Sequence, residues 1–381
     1  MKPNRVSVII VVAAVLATLQ GRSDESQAAT DRVAAAGAKV KGGDARNGDY
    51  DAPANWWKPA ADHQDGWTWG EVSGLAADTP DRIIVAVWGD RNAKTHEKRA
   101  NGSNYLVVVN GNGDLVETVT KWDSILNKPH QVYISPYDPE RHVWIVERGA
   151  GRGAHMEVLK FTNDLKQLVM RLGDHNDPRN RDEARANPHP GPYHYGDPAC
   201  LAFFPNGDFL LADGYWNSRI VRYNAKGEFM YEFGSLGKGP GQFDLVHGVA
   251  IDQNHRIYVA DRTNNRIQVF TEKGQYIEEW PNVTDPVGVY IDEHNAVWVI
   301  SAALNRILKY NMDGELQYYF GAYGGTRGGF PGGLSRPHQI SVDPQGNLYI
   351  ASWDGGWANK YTPKPGADPA HLVGKELKLK N

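Results

Sequence analysis

The chain has 381 residues, with 41 Lys and Arg against 45 Asp and Glu, and a formal net charge of −4 at pH 7. This near balance, without a run of basic residues, argues against nucleic acid as a partner. Cys200 is the only cysteine, so an internal disulfide is excluded. The 41 glycines and 22 prolines are typical of a turn-dense protein, and we expect one large β domain that is a monomer.

The first 28 residues have the pattern of a signal peptide. Lys2 and Arg5 precede the apolar run 6–19, which is too short to span a bilayer, and the small residues Ser26 and Ala28 suit a cleavage site. We therefore predict an exported protein, periplasmic or secreted, with no stable membrane insertion after cleavage. An uncleaved anchor is the alternative.

Residues 29–65 are rich in Ala, Gly and Asp and then contain Trp56-Trp57-Lys58-Pro59. This composition predicts a flexible lead segment that docks against the domain formed by residues 66–381.

A sequence unit is repeated through that domain. Each copy has a short apolar strand, a turn of Asp, Asn and Gly, a second apolar strand, a further turn and two amphipathic strands, most clearly at 201–223 and 249–270. Copies begin near 129, 198, 246, 286 and 337, and all but the first of these intervals are about 40 to 50 residues, as in propeller blades.

A weaker copy at 72–119 brings the number of units to six. The predicted fold is therefore all-β, a six-bladed β-propeller with four-stranded antiparallel blades. The second copy is the longest, and its insertion at 173–195 is expected to form a lid or rim over the channel mouth. The last copy shows three strands, and we expect residues 377–380 to complete it.

Three histidines stand at the same point of every second unit. They are His130 in Pro129-His130-Gln131, His247 in Val246-His247-Gly248 and His338 in Pro337-His338-Gln339, whereas Ser73, Ala199 and Val287 hold this point in the other units. Alternate blades of a six-bladed ring are related by a pseudo-threefold axis, on which the imidazoles would meet. Three histidines form a known catalytic zinc set, although iron, manganese or copper also accept such ligands. The alternative is that each histidine only bonds a neighbouring backbone carbonyl.

The residues that end the second strand of each unit are expected to face the same mouth of the ring. They are Trp88, Arg148, Gly214, Arg262, Ala302 and Trp353, with Tyr215 and Arg336 close by. Arg148 and Arg262 share blades with two of the histidines, so their guanidiniums would bind an anionic group in bidentate fashion. An arginine and a metal beside Tyr215 would lower the pKa of its phenol enough for it to act as a base. The alternative is that Arg262 and Tyr215 are ordinary turn residues of the repeat.

Several of these motifs resemble an NHL-repeat propeller, and more narrowly the peptidyl-α-hydroxyglycine α-amidating lyases. The resemblance covers roughly 70–360, is strongest over 196–270, and is carried by Asp213-Gly214-Tyr215-Trp216-Asn217, Gly241-Gln242-Phe243, Val259-Ala260-Asp261-Arg262 and Pro337-His338. Enzymes of this family split a peptidyl-hydroxyglycine into a peptide amide and glyoxylate. The resemblance implies zinc on His130, His247 and His338, with Tyr215 as the base and Arg262 as a substrate-binding residue.

Four departures from the family pattern bear on the substrate. Trp88 stands where the lyases have a catalytic arginine, and Arg336 stands where they have a methionine. Gln339 replaces an aspartate that helps to hold a structural calcium ion, which makes that Ca²⁺ doubtful here, and Trp216 replaces a disulfide cysteine. We therefore expect a retained metal site and a changed substrate, with anion-binding roles moved toward Arg148 and Arg336. Activity on α-hydroxyhippurate is expected to be weak or absent.

The sequence predicts an exported metal-dependent lyase that acts on a small polar or anionic substrate with an α-hydroxy centre, either a small molecule or peptide-derived. Two alternatives stay open. One is a metal-dependent hydrolase on the same propeller. The other is a non-catalytic NHL-repeat binding or scaffold protein in which the histidines are only structural.

Overall fold

The computed structural model describes residues 46–98, 104–149, 155–173, 181–186, 191–325 and 329–380. The predicted signal peptide, 1–28, and the lead segment up to residue 45 lie outside these described residues. Within the described ranges, no helix has both the length and the apolar character needed to cross a membrane.

Six four-stranded antiparallel sheets form the blades of a propeller, as predicted. The first blade and its surroundings contain β1 (Tyr50–Asp51), β2 (Trp67–Thr68), β3 (Val72–Thr79), β4 (Arg82–Val87), β5 (Arg91–Asn92), β6 (Leu106–Val109) and β7 (Leu115–Thr118). The second and third blades contain β8 (Pro129–Ile134), β9 (Val143–Glu147), β10 (Glu157–Phe161), β11 (Leu168–Leu172), β12 (Cys200–Phe203), β13 (Phe209–Asp213), β14 (Arg219–Tyr223) and β15 (Phe229–Phe233).

The remaining blades follow the same plan. A short pair, β16 (Ser235–Leu236) and β17 (Gln242–Phe243), leads into the fourth blade, β18 (Val246–Ile251), β19 (Ile257–Asp261), β20 (Arg266–Phe270) and β21 (Tyr276–Pro281). The fifth blade is β22 (Pro286–Ile291), β23 (Val297–Ser301), β24 (Arg306–Tyr310) and β25 (Leu316–Phe320), and the sixth contains β26 (Pro337–Val342), β27 (Leu348–Ser352) and β28 (Trp357–Pro363). Helices are short: α1 (Arg181–Ala186) and two 3-10 turns, Thr120–Trp122 and Pro369–His371.

The turn after the first strand of a blade is built around an aspartate. In the fourth blade, Asp252 accepts hydrogen bonds from the backbone N–H groups of Asn254 and Arg256, both at 2.8 Å, and from the hydroxyl of Tyr258 at 3.1 Å. Such side-chain to backbone bonds favour a tight turn over continued strand. Asp292 and Asp343 make the matching bonds in the fifth and sixth blades.

Glycines allow the innermost strands to approach one another around the axis. A Cβ added at Gly248 would lie 2.9 Å from the Cα of Gly288, and one added at Gly74 would lie 2.7 Å from the Cα of Gln131. Both distances are too short for real side-chain contacts. The sequence therefore keeps glycine where two inner strands nearly touch.

The sixth blade is completed from the N-terminal side, so the prediction that residues 377–380 complete it was wrong. β1 pairs with β28, placing Tyr50 opposite Pro363 and Asp51 opposite Thr362. Residues 377–379 instead lie over the first strands of other blades, where the N–H of Leu377 donates to the Ile291 carbonyl at 3.0 Å. In this segment the side chains of Leu377 and Leu379 are buried among apolar neighbours, and Lys378 and Lys380, which alternate with them, are exposed.

The described part of the lead segment, residues 46–65, is bound to the first and sixth blades. Trp56 is 4% exposed, donates from Nε1 to the Gly111 carbonyl at 3.0 Å and packs against Tyr349 at a ring-centroid distance of 5.4 Å. Together with β1, these contacts make residues 46–65 part of the propeller.

The insertion of the second unit is described only in part. Tyr193 stacks on Tyr223 at 5.6 Å, and Tyr195 is buried at the boundary between the second and third blades. The end of the insertion thus belongs to the packing between these blades. Residues 174–180 and 187–190, on which the predicted lid depends, lie outside the described residues.

Candidate metal centre

The three histidines each occupy a bulge in the innermost strand of their blade. In the fourth blade, Val246 pairs with Asp261 and Gly248 pairs with Ala260, so His247 is an extra residue between two pairs. The same register shift occurs around His130 and His338. A bulge redirects the side chain of its extra residue and leaves that residue outside the ladder of hydrogen bonds.

The blades between them present backbone carbonyls from the equivalent positions. His130 Nδ1 lies 2.6 Å from the Ala199 oxygen, and His247 Nδ1 lies 2.6 Å from the Val287 oxygen. His338 Nδ1 lies 2.5 Å from the Ser73 oxygen, which closes the cycle. Because a carbonyl can only accept, each Nδ1 carries the proton and donates it, and each Nε2 keeps its lone pair.

The imidazoles converge on the propeller axis. Their ligand nitrogens all lie within 4.8 Å of one another, and the ring centroids are 4.6 to 5.0 Å apart. His130 and His247 are fully buried, and His338 is 5% exposed. The arrangement expected from the alternation of histidine-bearing units is therefore present in the structure.

The electrostatic surroundings keep these rings neutral. Burial lowers the pKa of His130 and His247 well below the ordinary histidine value, helped by charge repulsion among the histidines and by neighbouring arginines. Burial likewise lowers the pKa of His338 to about 3. Neutral imidazole is the form that binds a metal ion, so three buried neutral donors with oriented Nε2 atoms fit a divalent cation.

Tyr215 reaches the same nitrogens from the third blade. Its hydroxyl lies 2.8 Å from His247 Nε2 and 3.4 Å from His130 Nε2. Its position depends on the preceding glycine, because a Cβ at Gly214 would lie 1.7 Å from the Val246 carbonyl oxygen. The phenol is thus held beside the candidate metal ligands.

The protein groups around Tyr215 raise the pKa of its phenol, whereas the sequence-based expectation of a lowered pKa included a metal ion. Burial is the largest influence and raises the pKa of the phenol, whereas Arg148 and Arg262 act to lower it. The two guanidiniums alone therefore do not make the phenol more acidic, because the cost of placing a phenolate in a buried site outweighs their attraction.

Two arginines at the mouth are anchored by aspartates of the following blade. Arg148 forms a two-pronged ion pair with Asp197, with 2.6 Å between Nε and Oδ1, and its guanidinium lies 4.2 Å from the ring centre of Tyr215. Arg262 Nε donates to Asp285 at 2.6 Å. The expected bidentate fork of Arg148 is therefore already used by Asp197, and this arginine supports Tyr215 instead.

Arg336 and two tryptophans complete this part of the mouth. Arg336 donates to the other oxygen of Asp285 at 3.3 Å and lies 5.7 Å from the ring centre of Trp353. Trp353 in turn meets Trp88 edge to face at 5.7 Å. A cavity of about 150 Å³ is lined by Arg148, Tyr215, Arg262, Val287, Ala302, Arg336, His338 and Trp353.

Gln339 takes part in a different network, below the histidines. Its Oε1 accepts from the N–H groups of Leu75 and Val132 at 3.0 and 3.1 Å, and its Nε2 donates to the Val132 carbonyl at 2.7 Å. The side-chain amide thereby ties the first, second and sixth blades together by hydrogen bonds. This position thus carries an amide that bonds backbone groups, and the doubt about a structural calcium ion stays a prediction.

Of the charged residues two positions before the histidine point, sequence reasoning found Arg336 and missed the other four. Units with a histidine carry Lys128, Leu245 and Arg336 there, and the units between carry Glu71, Asp197 and Asp285. The signal was present in the repeat alignment, because acidic residues alternate with basic or apolar ones around the ring. The Nζ atom of Lys128 lies 4.8 Å from the ring centre of Trp88. Burial, together with repulsion from Arg148, lowers the pKa of this amine.

Comparisons with known proteins agree with this architecture. An NHL repeat family model matches residues 243–270. NHL repeat-containing protein 3 of Mus musculus is 30% identical over 164 residues, covering 42% of this chain and 44% of that protein. A probable peptidyl-α-hydroxyglycine α-amidating lyase of Caenorhabditis elegans is 27% identical over 218 residues, covering 53% of this chain and 56% of that protein. The matches thus span about half the length of these relatives.

Solved structures show the same fold at low identity. A streptogramin B lyase superposes with a TM-score of 0.51 at 17% identity, covering 78% of this chain and 97% of that one. A gluconolactonase from Xanthomonas campestris gives a TM-score of 0.54 at 14% identity, covering 84% and 92%. The protein is therefore a six-bladed β-propeller, and residues 243–270 match the NHL repeat. In sequence it resembles the peptidyl-α-hydroxyglycine α-amidating lyases.

Proposed function

We propose that this protein is an exported metal-dependent lyase of the amidating-lyase type, or a relative, acting on a small anionic substrate with an α-hydroxy centre. The observation that carries the proposal is the convergence of three buried neutral imidazoles beside the Tyr215 hydroxyl, next to a small cavity that His338, Tyr215 and three arginines line. Export rests on the signal-peptide pattern of residues 1–28.

His130, His247 and His338 would hold the metal ion, with zinc as the first expectation. Such an ion supplies positive charge that polarises a substrate oxygen and makes an attached hydroxyl more acidic. The ligand set also accepts iron, manganese or copper, and the histidine geometry does not distinguish among them.

Tyr215 is the group best placed to take the proton of the substrate hydroxyl, because its own hydroxyl lies against His247 Nε2 and His130 Nε2. In the lyase reaction the oxygen that loses this proton forms a C=O double bond. The neighbouring C–N bond breaks, and its electron pair leaves with nitrogen, which takes up a proton. The products are an amide and an aldehyde acid, and no oxidant is needed.

Arg262 is proposed to hold the substrate carboxylate. Asp285 occupies its Nε and so orients the guanidinium, leaving its remaining N–H groups to meet a ligand in the cavity. Arg148 is proposed to act indirectly. Its ion pair with Asp197 fixes it over the ring of Tyr215, so it positions the base.

The metal content of the purified full-length protein after dialysis tests the proposal. We expect one equivalent in the wild type and a sharp loss in each of His130→Ala, His247→Ala and His338→Ala, since the site has no spare ligand. His255→Ala is the matched control, because this half-exposed histidine pairs with Glu272 on the outside of the fourth blade. Retention of one equivalent in all three variants would refute the site.

A non-catalytic binding propeller is the second candidate. It is favoured by the 30% match to NHL repeat-containing protein 3, a protein named for its repeat rather than for a reaction. Metal binding together with glyoxylate or another aldehyde acid released from hydroxy-acid amides supports the lyase. Hydrolysis products from the same panel would instead indicate a metal-dependent hydrolase.

A further inference from the structure

The charges around the cavity above the histidines do not balance. Three arginines line it, and among its described lining residues none is acidic. The carboxylates that neutralise these arginines, Asp197 and Asp285, lie behind them. The number of carboxylates available to the three arginines therefore decides how much positive charge is left, because a buried charge without a counter-charge is costly.

Arg148 has a carboxylate to itself, but Arg262 and Arg336 share one. Both oxygens of Asp197 are bonded to Arg148. Asp285 instead accepts from Arg262 through one oxygen at 2.6 Å and from Arg336 through the other at 3.3 Å. One carboxylate cannot neutralise two guanidiniums, so one positive charge remains at this wall of the cavity.

A second cation, attracted by Asp197 and Glu71 without an ion pair to either, stands at the equivalent place of another blade, just outside the residues that line the cavity. Lys128 lies two residues before His130, as Arg336 lies two residues before His338. Its amine lies over the ring of Trp88, and Trp88 touches Trp353 in the cavity wall. Within the described residues, Lys128 forms no ion pair. Glu71, which holds the position equivalent to Lys128 in the first blade, is paired with Arg91 at 2.6 Å.

We propose that the substrate of this site carries two anionic groups, as a compact hydroxy dicarboxylate does, and that Arg336 and Lys128 provide the charge for the second group. This inference rests on the proposed function, because it takes the cavity to be the substrate site. Apart from the charge of the metal ion, these side chains leave an excess of two positive charges, which a dianion matches, and a volume of about 150 Å³ suits a molecule of a few carbon atoms.

Tartronate and glycolate are the matched probes. Both have an α-hydroxy carboxylate, and tartronate adds one further carboxylate on the same carbon. We expect calorimetric titration of the metal-loaded wild-type protein to give a Kd for tartronate at least about tenfold below that for glycolate. Arg336→Gln and Lys128→Gln should each reduce this preference several-fold and should change glycolate binding less.

The three histidines are kept in these variants, because tartronate also chelates metal ions and the chelation must stay constant. Lys226→Gln, an exposed turn residue of the third blade, is the control for a lost surface charge and should keep the full preference. Equal affinity of the wild type for both acids would overturn the inference. So would a preference that is unchanged in the double variant Arg336→Gln, Lys128→Gln.

The outcome is separable from that of the proposed function. If the protein binds one metal ion but does not distinguish the two acids, the metal-dependent site is supported and the dianionic substrate is rejected. If the protein binds no metal but prefers tartronate through Arg336 and Lys128, the anion site is supported and the metal-dependent lyase is rejected.

Discussion

At the scale of single residues, the two interpretations of the histidines turn out to be compatible. An imidazole has two nitrogens, and in each histidine Nδ1 bonds a carbonyl of the next blade while Nε2 faces the axis. The carbonyl bond sets the tautomer and the ring orientation, which is the support that metal-binding histidines generally have. The bond that was considered as an alternative to metal binding therefore prepares the ring for it.

Replacing Tyr215 by Phe tests the base. The ring would remain under Arg148 and against the histidines, because only the hydroxyl is removed. We expect kcat on the best substrate of a hydroxy-acid panel to fall by about 10² to 10⁴, with metal content unchanged.

The control for this substitution is Tyr137→Phe, whose hydroxyl contacts the C-terminal segment through Leu379 at 2.7 Å, away from the cavity. It should leave kcat near the wild-type value. A Tyr215→Phe enzyme with full kcat would remove this tyrosine from the proton transfer.

At the scale of elements, the bulges connect the repeat to the site. Each histidine-bearing strand has its extra residue at the histidine, and strands β3 and β22 have theirs at Ser73 and Val287. The unpaired carbonyls of these positions are thereby free to accept the imidazole N–H. The bulge thus recurs in five of the six blades and presents the candidate metal ligands and two of their supports, whereas the third support, Ala199, lies just before β12, whose pairing with β13 is regular.

The N-terminal segment can be tested as part of the propeller by Trp56→Ala. The side chain is 4% exposed between the first and sixth blades, so its removal leaves a cavity and takes away one of the two hydrogen bonds to the Gly111 carbonyl, the other being from Lys360. We expect the free energy of unfolding to fall by about 3 to 5 kcal/mol in urea titrations.

Val116→Ala is the comparison, because Val116 is 62% exposed on β7 and its truncation should change little. A loss of less than about 0.5 kcal/mol for Trp56→Ala would mean that residues 46–65 do not contribute to the fold.

At the scale of the whole molecule, the pseudo-threefold axis is preserved by the histidines and broken by the charges. Arg148 with Asp197 and Arg262 with Asp285 are equivalent pairs, but Trp353 stands at the third position. The symmetric layer suits a metal ion, and the asymmetric layer above it gives the cavity a positive wall on one side.

Metal binding should stabilise the complete ring, because its ligands come from the second, fourth and sixth blades. A ligand that binds only the folded state adds about 2.7 kcal/mol when present at a hundred times its Kd. We expect chelation to lower Tm in thermal scans of the wild type, and readdition of zinc to restore it.

His338→Ala should have the same Tm with and without chelator, since it lacks one ligand. Identical melting of the chelated and zinc-loaded wild type would argue that no metal ion bridges the blades.

The number of blades and the histidine triad could be predicted from the repeat alone. The repeat period identifies the blades, and closure of any six-membered ring brings equivalent positions of alternate blades to one axis. The sequence also pointed to Arg148, Tyr215, Arg262 and Arg336, because they follow or precede strands at one end of the blades.

Only the tertiary structure decided how these residues are partnered and how the ring closes. Asp197 lies 49 residues from Arg148, and Asp285 lies 23 residues from Arg262, so no local pattern links them. The open edge of β28 accepts any extended segment that reaches it, and the arrangement of the chain in space selected Tyr50–Asp51 over 377–380. Pairing across blades depends on distance in the folded ring, and sequence separation does not report that distance.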